Sequence, residues 1–122
     1  MSISPEFREH VLEMLEPLGA VTARSMFGGG GLYLDGTMFA LITRSDVLYL
    51  RTDDGNREDF EAAGMGPFVP FEDGRMMMPY HEVPPGVLED ADRLSAWCRA
   101  AWEAARRAKS ASGRKKGRTK QP

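Results

Sequence analysis

A two-residue turn, Asp35-Gly36, constrains the fold of this chain more than any other feature of its sequence. A type I′ turn needs positive φ at both central positions, and an Asp-Gly pair between two runs of alternating apolar residues meets that need. The turn therefore predicts a β-hairpin. Counting outward from it places Tyr33 opposite Met38 and Leu32 opposite Phe39.

A second turn within residues 43–46 predicts a third strand, with Ile42 opposite Val47. This register divides the apolar side chains between two faces of the sheet. One face collects Leu32, Leu34, Phe39, Leu41, Leu48 and Leu50, and the other collects Tyr33, Met38, Ala40, Ile42, Val47 and Tyr49. Two apolar faces are unusual for an antiparallel meander with one side in water. We therefore expect the second face to contact a helix, another chain or a ligand.

Four glycines, residues 28–31, precede the hairpin and suggest a phosphate-binding loop. A Walker loop ends in GK[ST], and a dinucleotide fingerprint leads into a helix. Here the glycines lead into a strand, so neither a lysine nor a helix N-terminus would face a phosphate. We interpret the run as a bulge or a close strand crossing, where a side chain would clash.

Helical periodicity lies on both sides of the hairpin. Ser4 and Pro5 predict the start of a first helix with an apolar stripe at helical spacing, and Gly19 is placed to end it. A short helix is predicted between Asn56 and Gly64.

Two short strands are predicted within residues 66–80, around a turn at residues 72–75. A last amphipathic helix begins near residues 88–90 and ends near Ala108. The fold is therefore predicted to be α+β, with a single antiparallel sheet of about five strands and the order α-β-β-β-α-β-β-α.

Charge is distributed unevenly along the chain. Residues 1–103 hold all eighteen acidic and eight basic residues, a net charge of −10, whereas residues 104–122 hold eight basic residues and no acid. We predict one folded domain over residues 1–108 and a disordered basic tail over residues 109–122. The candidate nucleic-acid contacts in the tail are Lys109, Arg114, Lys115, Lys116, Arg118 and Lys120. Such a tail would contact phosphates without reading bases.

The sequence contains no recognisable catalytic, cofactor-binding or metal-ligating set. His10 and His81 share no ligand spacing, and Cys98 lies on the apolar stripe of the last helix, where a buried cysteine is expected. No apolar run reaches the roughly 18 residues that would span a bilayer. A single cysteine fits a reducing compartment, so a cytoplasmic location is predicted.

Three hypotheses for function follow from these observations. The first is a protein-interaction role, with a protein partner or a homodimer on the second face. Its candidate residues are Tyr33, Met38, Tyr49 and Met77. The second is a nucleic-acid-associated protein that uses the tail, although the acidic body should weaken binding. The third, a small-ligand binder or enzyme, would need a pocket near Arg24, Tyr80 and Glu82.

The order of motifs resembles the N-terminal domain of the TfoX/Sxy family over about residues 5–108. The segments that carry the resemblance are ARSMFGGGGLYLDGTMFALI, VLYLRTDD, PFVPF, MMMPYHEVPPGVLED and LSAWCRAAWEAA. The resemblance implies an α+β fold and a non-enzymatic role in regulating competence for DNA uptake, exerted through a transcription regulator. Full-length members carry a second, C-terminal domain, so the resemblance is to a stand-alone form.

Overall fold

The structure, a computed structural model, describes residues 5–26, 29–43, 45–68 and 78–119; for Met26 and residues 111–119 it describes the backbone alone. The helices are α1 (Pro5–Met14), α2 (Arg57–Ala62), α3 (Pro85–Leu88) and α4 (Ala91–Thr119), with a 3-10 turn at Glu16–Leu18. The strands are β1 (Thr22–Met26), β2 (Gly29–Leu34), β3 (Thr37–Ile42), β4 (Leu48–Arg51), β5 (Pro67–Phe68) and β6 (Met78–Glu82).

The described strands form one antiparallel sheet in the order β1-β2-β3-β4-β6-β5. This confirms the predicted α+β class. About five strands were predicted from the sequence, and the strand that was not predicted is β1, which pairs along its length with β2. The predicted turn at residues 72–75 lies outside the described residues.

The hairpin turn forms as predicted, but the strands beyond it shift register. Asp35 and Gly36 both have positive φ, 51° and 77°, and Tyr33 lies opposite Met38. A β-bulge then places Leu32 opposite Ala40, so the predicted pairing with Phe39 is wrong. The bulge adds one residue to β3 and reverses the side on which every later side chain of that strand lies.

The second turn is also displaced by one residue. Ile42 pairs with Leu48, not with Val47 as predicted. The Thr43 hydroxyl accepts hydrogen bonds from the backbone N–H groups of Ser45 and Val47, at 3.3 and 3.2 Å. These bonds keep Val47 within the turn, because an ST-type turn competes with strand pairing for the same backbone groups.

The corrected register defines a first face that is fully buried. Its side chains are Leu32, Leu34, Phe39, Ala40, Ile42, Leu48 and Leu50. Ala40 and Ile42, predicted for the second face, therefore belong to the core, and Leu41 leaves it. The buried residues of α1 and α4 join the same cluster, so these helices cover the first face.

The apolar stripe predicted for the first helix is buried, but α1 ends at Met14 and a 3-10 turn, not helix, leads to Gly19. Val11 and Leu15 are fully buried, and Leu18 is nearly so. Gly19 ends the 3-10 turn with φ of 143°, a conformation that L side chains rarely adopt. The predicted N-cap, Ser4, lies outside the described residues.

The last helix is capped by Asp90 and is longer than the sequence pattern indicated. The Asp90 carboxylate accepts hydrogen bonds from the backbone N–H groups of Asp92 and Arg93. The helix continues to Thr119, past the predicted end near Ala108. Among the described side chains, the last core residue of α4 is Ala105, so burial in the core does not account for the extension. Disorder of residues 109–122 in solution stays a prediction.

The glycine run is explained by backbone packing at the one position where the structure tests it. A Cβ added at Gly29 would collide with the carbonyl oxygen of Ile42 on the neighbouring strand. Gly29 therefore permits close approach of β2 to β3, as the sequence reading proposed. Gly28 lies outside the described residues.

Candidate functional site

The face of the sheet opposite α1 and α4 carries large, partly exposed side chains. We define this second face as Tyr33, Met38, Leu41, Tyr49 and Arg51, all of intermediate exposure. Strand pairing places Tyr33 beside Met38, and Leu41 beside Tyr49. Three of the four predicted interaction residues thus lie together.

Two members of this face were not predicted, and one predicted member cannot be placed. Leu41 was assigned to the core, and only the bulge brings it to this side. Arg51 follows Tyr49 by two residues and lies on the same side of β4, so the strand period could have identified it. Met77 lies outside the described residues.

Arginine and aromatic side chains are interleaved across the second face. The guanidinium of Arg24 lies over the Tyr33 ring at 5.2 Å from its centroid, and that of Arg51 lies 5.7 Å from the Tyr80 centroid. On the β5 side, the Tyr49 and Phe68 rings are 4.8 Å apart. The cation–π contacts hold both guanidinium groups close to the sheet.

An open groove of about 420 Å³ lies where the end of the sheet meets α4. The β2–β3 turn, the end of β4 and the third residue of β6 meet the C-terminal part of the helix there. The groove is lined by Thr37, Met38, Arg51, Tyr80, Ala105 and Lys109, among others. Of the three residues predicted to surround a pocket, Tyr80 lines it, whereas Arg24 and Glu82 do not.

Arg51 and Tyr80 are the unusual pair in this groove. Tyr80 is buried, which raises the pKa of its hydroxyl, and the nearby Arg51 guanidinium partly offsets that rise. The buried Nε of Arg51 finds no hydrogen-bond partner in the described part of the chain. Unpaired buried donors are rare in native structures.

Two titratable groups that could serve chemistry lie in the core instead. The thiol of Cys98 is fully buried, and burial raises its pKa far above the ordinary value. The Nδ1 atom of His81 is 2.9 Å from the Thr52 hydroxyl, and the ring packs on Phe60. Burial lowers the pKa of His81. Neither group reaches an open surface.

The predicted tail residues are only partly placed. Lys109 is exposed on α4 and lines the groove. Arg114, Lys115, Lys116 and Arg118 lie on the same helix, where only the backbone is described, and Lys120 lies outside the described residues.

Comparison with known families gives a match to the TfoX N-terminal domain over residues 13–105. The chain belongs to this family. The match covers β1 to β6 and most of the core-forming part of α4. No curated protein matches the sequence.

Neither a potential metal-binding cluster nor a membrane-spanning helix is found among the described residues of this TfoX N-terminal domain. No set of three His, Cys, Asp or Glu side chains within them converges as a metal site would require. None of their helices combines the length and apolarity needed to cross a membrane.

Proposed function

We propose that this TfoX N-terminal domain is a non-enzymatic, cytosolic regulator that binds another protein through its second face. The composition of that face supports the proposal most strongly. Tyr33, Met38, Tyr49 and Arg51 belong to the residue types that are enriched at protein interfaces, and Leu41 lies among them. Aromatic residues and arginine also account for most interface hot spots.

Charge indicates the chemistry of the partner. Arg24 and Arg51 are cations at this face and Glu82 is an acid beside Tyr49, whereas residues 1–103 as a whole carry a net charge of −10. A partner that presents an apolar patch flanked by carboxylates complements the arginines. A second copy of this acidic domain would meet like charge around the patch. The family's association with competence favours a transcription regulator as the partner.

The test compares Leu41→Asp with Ala91→Asp, a control at the exposed first residue of α4. A partner captured by the wild-type protein would be identified, purified and titrated by calorimetry against all three proteins. Leu41→Asp should weaken binding by about thirtyfold or more, as expected for loss of a central contact. Ala91→Asp should bind like the wild type.

Two results would contradict the proposal. One is equal affinity of the Leu41→Asp variant and the wild type for the purified partner. The other is light scattering that shows a stable dimer in the wild type and a monomer in Leu41→Asp, because the face would then be occupied by a second copy.

A second candidate function rests on the basic end of the chain. We propose, as this alternative, salt-sensitive contact with nucleic acid, because residues 104–122 carry eight basic residues without an acid and α4 continues to Thr119. Changing Arg114, Lys115, Lys116 and Arg118 to Gln should abolish a gel shift seen at low salt. A gel shift that survives this change, or none for the full chain at low salt, would contradict the alternative.

A further inference from the structure

The groove between the end of the sheet and α4 is lined by cationic side chains. Arg51 and Lys109 line it, and no carboxylate lies among its described lining residues. Arg107, which is close by on α4, does have a carboxylate partner. Its Nε and Nη2 atoms donate to the two carboxylate oxygens of Asp53 at 2.7 and 2.9 Å. The charge of Arg107 is thus already paired, whereas Arg51 packs on the Tyr80 ring and neither it nor Lys109 forms an ion pair with a carboxylate of the described residues.

The donors around the groove suit an anion. Arg51 lines the groove with a guanidinium group, although its Nε atom is buried and has no acceptor in the described part of the chain. Tyr80 is only 3% exposed and its hydroxyl stays protonated at neutral pH, while Thr37 adds a second hydroxyl. Lys109 completes a set of four donor side chains, two of them charged.

The rest of the lining is apolar. Met38 contributes a thioether, and Ala105 and Ala108 contribute methyl groups from one side of α4. At about 420 Å³ the groove lies within the range of small-molecule sites. A second groove of about 430 Å³ shares Thr37 and Lys109 with it and is also lined by Arg106 and by the carboxylate of Asp35.

We propose that this groove binds a small organic phosphate monoester, with the phosphate held by Arg51 and Lys109 and the organic part against Met38 and Ala105. A phosphate monoester carries a charge of about −1.5 to −2 at neutral pH and has three terminal oxygens. Two cations and two hydroxyls match that charge and number of acceptors better than they match a carboxylate. The site shares Met38 and Arg51 with the second face, whereas Leu41 and Tyr49 of that face do not line it.

The test is an NMR titration of the full chain with phenyl phosphate, followed through backbone amide shifts. Saturable shifts centred on Thr37, Met38 and Lys109 are expected, with a dissociation constant in the millimolar range or below. Lys109→Gln should weaken binding roughly three- to tenfold, and Arg51→Gln roughly tenfold or more. Arg99→Gln removes an equal charge from an exposed site on α4 that is not part of the groove, and it should leave binding unchanged.

Parallel titrations separate the chemical classes. Inorganic phosphate that binds as tightly as phenyl phosphate would refute a role for the apolar lining, and benzoate that binds as tightly would refute the choice of phosphate. Absence of saturable shifts, or equal weakening by Arg99→Gln, would refute the site itself. Since Lys109 is exposed, Lys109→Gln should fold and can therefore test the site even if Arg51→Gln does not fold. Leu41→Asp should bind phenyl phosphate normally, which separates this site from the protein interface.

Discussion

Replacing Gly29 with alanine should destabilise the fold because the new methyl group has no space. An ideal Cβ at this position collides with the carbonyl oxygen of Ile42, and it lies 3.3 Å from both the Ile42 carbonyl carbon and the Thr43 Cα. All three neighbours are backbone atoms, so no side-chain rotation can relieve the contact. Strands β2 and β3 must separate at the end where Gly30 pairs with Ile42.

The expected loss combines two opposing contributions. Overpacking a well-packed site costs about 1–3 kcal/mol. Alanine also restricts the unfolded chain, which stabilises the protein by about 0.4–1 kcal/mol. The net decrease in the free energy of unfolding should therefore be about 1–2 kcal/mol, a noticeable share of the total stability of a small domain. The midpoint of thermal unfolding should fall by about 4–10 °C.

Urea denaturation followed by tryptophan fluorescence can measure this loss, since Trp97 and Trp102 both pack against the core. Gly66→Ala is the matched control, because a Cβ at Gly66 has no atom within 4 Å. A Gly29→Ala midpoint equal to or above that of Gly66→Ala would refute the reasoning. Loss of phosphate binding with unchanged stability would point back to a phosphate-binding glycine loop.

Three further predictions concern protonation, an ion pair and the strand register. Burial lowers the pKa of His81 in the folded protein, so on acidification the imidazole is protonated at a higher pH in the unfolded chain than in the folded one. The free energy of unfolding should therefore be constant above pH 6.5 and fall as the pH decreases below it. A flat stability profile from pH 7.5 to 5 would contradict this. Arg107→Gln should lower the free energy of unfolding by less than about 1 kcal/mol, because the ion pair of Arg107 with Asp53 is partly exposed. The hydrogen bond from Arg107 lowers the pKa of the Asp53 carboxyl, so an NMR titration of the variant should show a higher pKa for Asp53 than in the wild type. Ala40→Asp should prevent folding or lower the free energy of unfolding by several kcal/mol, whereas Leu41→Asp should lower it by about 1 kcal/mol, since only Ala40 is fully buried. Thermal unfolding followed by circular dichroism measures both losses, and the reverse order would support the register without the bulge.

Sequence periodicity predicted the parts of the fold in which one side of an element is clearly apolar. The first-helix stripe of Val11, Leu15 and Leu18 is buried, and the Asp35-Gly36 turn closes the expected hairpin. In these places polar and apolar positions alternate with a single period. The pattern therefore admits only one arrangement.

The predicted register failed where the pattern carries no such contrast. Residues 38–42 are all apolar, so either face of β3 would satisfy a hydrophobic core. The bulge in that stretch is a backbone feature with no polar residue to indicate it. Likewise, the sequence after Ala108 has no apolar stripe that could have marked the continuation of α4 to Thr119.

The groove could be anticipated only in part. The third hypothesis from the sequence needed a pocket near Arg24, Tyr80 and Glu82, and only Tyr80 lines the groove. The sequence could not show that Arg51 and Lys109 meet beside Tyr80, since β4, β6 and the end of α4 are far apart along the chain. Proximity of this kind follows from strand order and helix direction rather than from local pattern.

The bulge in β3 connects the core with the proposed interface. Without the bulge, Leu41 would lie on the first face, in the core, and Ala40 would lie on the second face. With it, the small side chain of Ala40 lies in the core cluster together with residues of α4, and the larger Leu41 fills the second face. One inserted residue thus allows the helix to approach the sheet closely and adds apolar area to the opposite side. A substitution that removed the bulge should therefore disturb both helix packing and the proposed partner binding, although of these two residues only Leu41 lies on the proposed interface.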